Sequence, residues 1–540
     1  MAKQFTVWIS LFVLAGCKVG PNYRRPQVKV PEKFGELDPG TGSQSPPSLS
    51  RAAGNEPPVD AWWRTFKDPE LDRLIGEGVR QNLDLRIATE RIRQARAQRR
   101  LVAAGLLPEI DANAGYNRAR GSKNVVLPLG GGSSGSGSGA GSGSPSPKSA
   151  LKTDPPGDPP SNSANGAASS GSTGSAESGN MLSPFGQGGL PSITTELFQI
   201  GFDSTWELDI FGGTRRRVEA ATADLAAAAE NRRDMLVTLL AEVARNYLEL
   251  RGTQQRLAVA RENLAAQRET LDLVQSMRRS GLVSDLDTTR AAAQVALTAA
   301  TIPPMEGQTR LAIHALSTLL AKQPEALSAE LEQSKPLPIL PPTVPVGLPS
   351  QLLLRRPDIR RAERQLQAAT ARIGSAKADL FPKFALTGSA GLDSSSLTHL
   401  LDWESHYFLI SPTVVWPIFD AGRITSNIKL QESVRSQFLL QYRSTILAAL
   451  REVEDALVQF DTEQARRAAL SEALNQSRRT FEIAREQYQH GLVDFLTVLD
   501  SQRTVLNAEE ALTQSDQTAA TDLVALYKAL GGGWATDHSP

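Results

Sequence analysis

Few side chains in this 540-residue chain combine a type and a spacing suited to chemistry. Its single cysteine, Cys17, excludes a disulfide framework, a cysteine-held zinc and any CxxC redox pair. The five histidines (His314, His399, His406, His490 and His538) form no HExxH pair, so neither a metal site nor a cofactor is expected. Gly131-Gly-Ser133-Ser-Gly135 has the spacing of a nucleophile elbow. It stands in Gly/Ser low complexity, without the strand-to-helix setting that makes such a serine reactive. Lys and Arg total 58 and Asp and Glu total 58, which argues against a nucleic-acid partner. The chain is not expected to be an enzyme, and its organisation has to carry the functional reading.

Cys17 does have a chemical setting. Lys3 is followed by an apolar run, Phe5 to Ala15, broken only by Thr6 and Ser10. The run is too short to span a bilayer but fits a secretory h-region. It ends in Leu14-Ala15-Gly16-Cys17, which resembles a bacterial lipobox: small residues for the peptidase, then a cysteine whose sulfur takes a lipid. Residues 1–16 are thus expected to be a lipoprotein signal peptide and Cys17 the acylated residue. Lys18 stands where lipoproteins kept at the inner membrane often carry Asp, so the outer membrane is the expected destination.

The elements behind these residues repeat. Trp206 and Trp416, Gly281-Leu282-Val283 and Gly491-Leu492-Val493, and Leu320 and Leu530 all share one offset of 210 in the numbering. A constant offset over such a length means a duplicated architecture. Each half opens with two strands of period two: Ile110, Ala112, Ala114 and Tyr116, then Ile200, Phe202, Trp206 and Leu208. In the second half Phe384, Leu386, Ala390 and Leu392 precede Ile410, Val414, Trp416 and Ile418. Such alternation suits a barrel strand between lipid and water, and equally a half-buried strand of a soluble sheet.

Long helices follow. Leu236, Val243, Leu250, Leu257, Leu264 and Leu271 recur with a heptad period. Ile446, Val453, Phe460, Leu474, Phe481 and Tyr488 keep the same phase, Arg467 excepted. A strict heptad predicts knobs-into-holes packing. From Thr214 to Arg279 a single helix would run roughly 100 Å, which suits a tube wall and not a globular core. Gly281 and Gly491 suit left-handed positions ending these helices, so each turns into an antiparallel return helix. Pro303-Pro304 is expected to kink or interrupt the first return helix.

With these elements in place, the chain resembles the TolC-like outer-membrane factors, in the lipoprotein branch called NodT-type. The matching residues are Cys17-Lys-Val-Gly-Pro-Asn-Tyr23 with Arg25-Pro26, Ala61-Trp62-Trp63, and Asp68-Pro69-Glu-Leu71-Asp72. Further matches are Leu348-Pro-Ser350, Leu353-Leu-Arg-Arg-Pro-Asp358, Ala378-Asp-Leu-Phe-Pro382, and Gly491-Leu-Val with Leu496-Thr-Val-Leu-Asp-Ser-Gln-Arg503. The resemblance implies a mainly α fold with a β-barrel contribution. Coiled-coil hairpins would form a periplasmic tunnel, and four transmembrane strands per chain would close a twelve-stranded barrel in a homotrimer.

The expected organisation is a signal peptide 1–16, a lipidated tether and equatorial segment 17–66, and a first repeat 67–322. A proline-rich crossover 323–350, a second repeat 351–531 and a tail 532–540 follow. A low-complexity extracellular loop, 121–189, is inserted in the first repeat.

The implied function is a passive exit duct in the outer membrane for small molecules, served by an inner-membrane pump and a periplasmic adaptor. Duct service in type I protein secretion, or a non-conducting coiled-coil lipoprotein, are the alternatives. The resemblance places adaptor docking at the tips, Gly281-Leu282-Val283-Ser284 and Gly491-Leu492-Val493-Asp494, where a plain helix cap can hold together with it. It matches Leu496, Asp500 and Arg503 to the aperture, three leucines giving an apolar ring and three aspartates an acidic one. Asp500 and Arg503 also have the spacing of an ordinary helix-surface pair. Asp287 matches an acidic gate position whose usual basic partner is replaced by Val493. Outer-membrane lipid is the remaining implied partner.

Overall fold

The computed structural model describes residues 18–35, 51–53, 60–120, 194–281 and 283–534. The signal segment, Cys17, Leu282 and the 121–189 insert lie outside the described residues. In chain order the elements are β1 (Arg51–Ala53), α1 (Pro69–Gln81), α2 (Leu83–Ala104), β2 (Glu109–Arg120), β3 (Thr194–Leu208), α3 (Gly213–Arg279), α4 (Asp285–Leu319) and α5 (Ser328–Leu331). They continue with β4 (Thr343–Pro345), α6 (Pro349–Arg355), α7 (Pro357–Ala378), β5 (Lys383–Ser394), β6 (His406–Val415), α8 (Arg423–Gln489) and α9 (Phe495–Ala529).

The duplication is visible in the lengths. α3 and α8 each have 67 residues and α4 and α9 each have 35. α2 and α7 each have 22 residues, and β2 and β5 each have 12. The long helices keep the offset found in the sequence, Gly213 at the start of α3 answering Arg423 at the start of α8. The starts of α2 and α7, Leu83 and Pro357, are set further apart than that. The first half is therefore the longer one between its first strand and its long helix. The sequence places its low-complexity insert in that interval.

Four strands pair in the order β2-β3-β5-β6, leaving β2 and β6 as edges. Their apolar face is bare. Ile110 and Tyr116 on β2, Ile200 and Phe202 on β3, and Phe408, Ile410 and Val414 on β6 are all exposed. The opposite face is polar, with Asn113 donating to Asp203 and Gln199 donating to the Tyr407 hydroxyl at 2.9 Å. A sheet of a soluble core would have its apolar face covered. Residues 111–203 and 389–409, which include parts of all four strands, form one structural unit and the rest of the chain another.

Within the larger unit the main core gathers around the middle of α3 and the ends of α4 and α9. Leu240, Val243, Tyr247 and Leu250 of α3 pack with Ile313 and Leu316 of α4 and Leu523, Val524 and Tyr527 of α9. The Trp62 ring stacks on Tyr527 with centroids 5.2 Å apart. The heptad positions do enter the interior: Val243, Leu250, Leu257 and Leu264 are buried on α3, and Ile446, Val453, Phe460 and Leu474 on α8. Arg467, the break in the pattern, pairs with Asp516 of α9 at 2.8 Å.

The expected interruption at Pro303-Pro304 does not occur, because α4 runs as one helix with both prolines inside it. Two missing N–H groups free only the carbonyls of Ala299 and Ala300. Ala300 and both prolines are exposed and Ala299 is half-buried, so this side of the helix is open to solvent, while Met305, Thr309 and Ile313 are buried on the same helix.

No described helix is long and apolar enough to cross a membrane.

Candidate functional site: the hairpin tips and the aperture face

Each tip is built from a glycine and a capping side chain. Gly281 and Gly491 take φ of 74° and 71°, the left-handed conformation that costs glycine nothing. Their N–H groups close the preceding helices on Arg278 and Tyr488, each at 2.9 Å. Ser284 then caps α4 in a capping box with Asp287, whose carboxylate takes the Ser284 hydroxyl at 2.8 Å. Asp494 caps α9 by accepting from the Thr497 N–H at 3.1 Å and its hydroxyl at 2.7 Å. Those hydrogen bonds hold the Asp494 carboxyl below its ordinary range. Leu492, on one tip, and Leu286, just inside the other, stay exposed at 73% and 55%. Val283 and Val493 are half-buried.

Behind the tips an apolar cluster joins all four helices. Val274 of α3, Ala291 of α4, and Phe495 and Val498 of α9 are buried together, flanked by Phe481 and Tyr488 of α8. The Tyr488 hydroxyl points to the Met277 sulfur at 3.9 Å. Burial raises its pKa, and the Asp287 charge raises it further. From sequence, Tyr488 had only a heptad phase. The clustering depends on α9 turning Phe495 and Val498 inward, which the apolar spacing of 495 and 498 announces once the helix start is fixed.

The structure brings Leu496, Asp500 and Arg503 onto the exposed face of α9. Leu496 is 45% exposed, and Asp500 and Arg503 form a solvent-exposed pair at 3.4 Å. Leu496 and Asp500 line a groove with Gln476 and Thr480 of α8. Asp287 is not brought to them. It is occupied by Ser284 and lies 4.0 Å from Arg290, and among the described residues no ion pair joins it to α9.

Sequence reasoning missed a second charged cluster that fastens the crossover to the tunnel helices. Arg251, fully buried on α3, donates to Glu70, to Gln254 at 2.6 Å and to the Gln333 carbonyl at 2.9 Å. Lys335 adds a bond to Glu70 at 2.9 Å, and Tyr247 donates to Asp68 at 2.6 Å. Burial works to raise the Glu70 pKa, but the hydrogen bonds and charges of Lys335 and Arg251 outweigh it and hold the carboxyl low. The available signal was an arginine next to the apolar heptad position Leu250.

Two matched helical hairpins with capped tips and a four-stranded sheet with a bare apolar face are the build of the outer-membrane channels among solved structures. The chain belongs to the outer membrane efflux protein family, whose model matches residues 163–322 and 348–532. It is 30% identical over 533 residues to the solvent efflux pump outer membrane protein SrpC of Pseudomonas putida, covering 98% of each chain. It is 29% identical over 527 residues to the probable outer membrane lipoprotein SilC of Salmonella typhimurium, covering 97% of each. Among solved structures, the outer-membrane channel OprN superposes with a TM-score of 0.77 at 30% identity, over 96% of this chain and 100% of that one. The protein is thus an outer-membrane efflux channel of the kind that serves tripartite systems, in a family of transport channels, not of enzymes.

Proposed function

We propose that three copies close a twelve-stranded barrel over a tunnel of their helices, and that this passive duct takes small molecules from an inner-membrane pump through a periplasmic adaptor. The observation that carries the reading is the four-stranded sheet, apolar on an exposed face and open at β2 and β6. Bilayer lipid tolerates no open edge, so the edges must pair with further copies. Four strands are also too few to close alone.

The adaptor docks at the tips, where Leu492 and Leu286 hold apolar surface out to solvent beside glycine turns. The aperture is lined by Leu496, Asp500 and Arg503, with Asp287 bracing the turn beside it.

Cys17 carries the acyl anchor, and the segment that follows it is already fastened in place. Lys18 pairs with Glu219, and buried Arg216 donates to the carbonyls of Val19 and Gly20 at 3.0 Å each and to Asn22 at 2.9 Å. Both acidic and basic partners sit at the start of α3, which directly follows β3. Residues Lys18 to Asn22 are thus held against the start of α3, just past the end of β3.

The test is a purified full-length protein studied by light scattering and planar-bilayer recording, with a photo-crosslinker at Leu492 in cells. A trimer that conducts, and capture of a periplasmic adaptor, are the expected results. A monomer or a non-conducting trimer overturns the duct, and capture of nothing while efflux proceeds moves docking away from the tips.

A further inference from the structure

The repeat makes α2 and α7 the same helix in the two halves, with Leu83 answering Pro357, yet three of the four α7 arginines meet carboxylates of α3, Arg364 meeting Gln367 instead, while α2 differs. On α7, Arg360 pairs with Glu230 at 2.8 Å, Arg361 with Asp234 at 3.0 Å and Arg372 with Asp224 at 2.6 Å. α2 carries six arginines against Asp84 and Glu90. Arg93 takes Glu90 at 2.6 Å, and Arg99 reaches only the Thr222 hydroxyl at 3.0 Å. Arg96, Arg99 and Arg100 are all exposed, and none has a carboxylate at ion-pair distance among the described residues. Like charges three and four positions apart on a helix repel one another, so this turn is left short of anions.

The repeat also shows what that face is for on the other helix. On α7 the segment after Cys17 lies along it. Tyr23 donates to Glu363 at 3.2 Å, Arg25 pairs with the same carboxylate at 3.2 Å, and Gly20 packs directly on Gly374. Counted from the two helix starts, the α2 positions equivalent to Gly374 and Thr370 are Arg100 and Arg96. Thr89, equivalent to Glu363, is met by Arg232 of α3 at 3.0 Å, adding a further positive charge. Within one chain, therefore, one helix has its face covered by the anchor segment, and the other has the same face uncovered and basic.

The level of this face is fixed twice. Arg100 stands shortly before Glu109, where β2 begins. Its equivalent, Gly374, touches Gly20 of the segment that lies along α7.

We propose that Arg96, Arg99 and Arg100 form a binding surface for anionic phospholipid headgroups of the periplasmic leaflet. Guanidinium groups match phosphate geometry, and a basic cluster beside a spanning segment is drawn to anionic lipid. The proposal rests on the sheet lying in the membrane, which single-channel conductance reports separately.

To test it, the full-length protein is reconstituted in phosphatidylethanolamine bilayers containing a minor fraction of phosphatidylglycerol and extracted in mild detergent. Retained lipid is then quantified by mass spectrometry. Phosphatidylglycerol should be retained roughly fivefold above its share of the bilayer, the factor one engaged arginine contributes. R96Q/R99Q/R100Q should lose that preference, while R96K/R99K/R100K should keep it. High salt should abolish it in the wild type. Absence of enrichment in the wild type overturns the proposal, including the case in which an acidic protein segment is the true occupant. Undiminished enrichment in the Gln variant overturns it as well. Should that variant fail to assemble, the wild-type enrichment and its salt response decide alone. A conducting wild type without enrichment sinks this inference and leaves the duct standing.

Discussion

Tyr488 and Phe495 face each other across the second hairpin turn with ring centroids 5.7 Å apart. At the equivalent positions of the first repeat, Arg278 and Asp285 hold the first turn as an ion pair at 2.6 Å. The same two positions are therefore aromatic on one tip and ionic on the other. Arg278 and Asp285 are more than half exposed, so water and salt screen their attraction. Phe495 is buried against Val274 and Ala291 of the first hairpin, so the aromatic pair also holds one hairpin to the other.

The two tips should respond differently to truncation. Phe495→Ala removes a buried aromatic, a change that costs about 3–5 kcal/mol. Hydrogen exchange in the first turns of α9 should accelerate strongly. Arg278→Ala should change exchange in α4 by less than about 1 kcal/mol equivalent, and added salt should mimic it. Equal effects from the two variants would show that the aromatic contact does not join the hairpins.

Glu70 and Arg251 make a second contrast, since both are withdrawn from water. Arg251→Ala leaves Glu70 with Lys335 and the Tyr247 hydroxyl, at 2.9 and 3.3 Å, and breaking a buried pair costs about 3–5 kcal/mol. The Glu70 carboxyl is held low in the folded protein. Its stabilisation is therefore complete above the unfolded carboxylate pKa of about 4.3 and is lost as pH falls through the lower folded value. Thermal midpoints taken down a pH series should show this acid loss in the wild type and a smaller one in Glu70→Gln. Identical acid profiles for the two proteins would remove Glu70 from the linkage.

Asp522 has the opposite sign. Burial raises its pKa to about 6, with the charge of Glu463 adding to the effect. A carboxyl raised on folding contributes stability below its unfolded pKa of about 3.9 and loses it as pH rises through the folded value. The wild type should thus lose stability between about pH 4 and 6 through this group. Asp522→Asn should flatten that interval and leave the protein more stable at neutral pH. A variant less stable than the wild type at neutral pH would mean that Asp522 is ionised and paired there.

Much of this architecture is written in periodicity. The heptads on 236–271 and 446–488 define two long helices, and the strict offset of 210 defines their equivalence. Glycines 281 and 491 mark the turns because only their left-handed backbone closes them cheaply. What periodicity does not reveal is which polar side chain ends up inside. Arg251 lies in a heptad helix whose other residues give no sign of Glu70, 181 residues away. Likewise Asp209, which caps α3 by accepting from the Thr214 and Arg215 N–H groups at 2.9 and 2.8 Å, has no capping-box partner to announce it. The prolines of α4 misled for a related reason. Proline disfavours a helix interior locally, but packing further along α4 keeps the element whole.

The aperture face gives a conductance test. Among the described residues Asp500 pairs only with Arg503, on its own helix and in solvent, so the pair adds little stability. Asp500→Ala should leave folding and trimer formation unchanged while lowering cation preference or raising basal conductance. Unaltered conductance and selectivity would remove Asp500 from the aperture.

The anchor segment offers the most direct steric test. Gly20 has φ of 96°, and a Cβ built there would collide with the Gly374 Cα. That contact is with backbone, so no rotamer change relieves it, and α7 is held in place by its ion pairs to α3. Gly20→Ala must therefore lift the segment, breaking the bonds from Arg216 to Val19 and Gly20. Buried Arg216 would keep Glu219 at 3.0 Å but lose three acceptors. Limited proteolysis should then cut within residues 18–30 in the variant and not in the wild type, with the trimer and its conductance retained. Protection of that segment in Gly20→Ala would show that the Gly20–Gly374 contact does not hold it down.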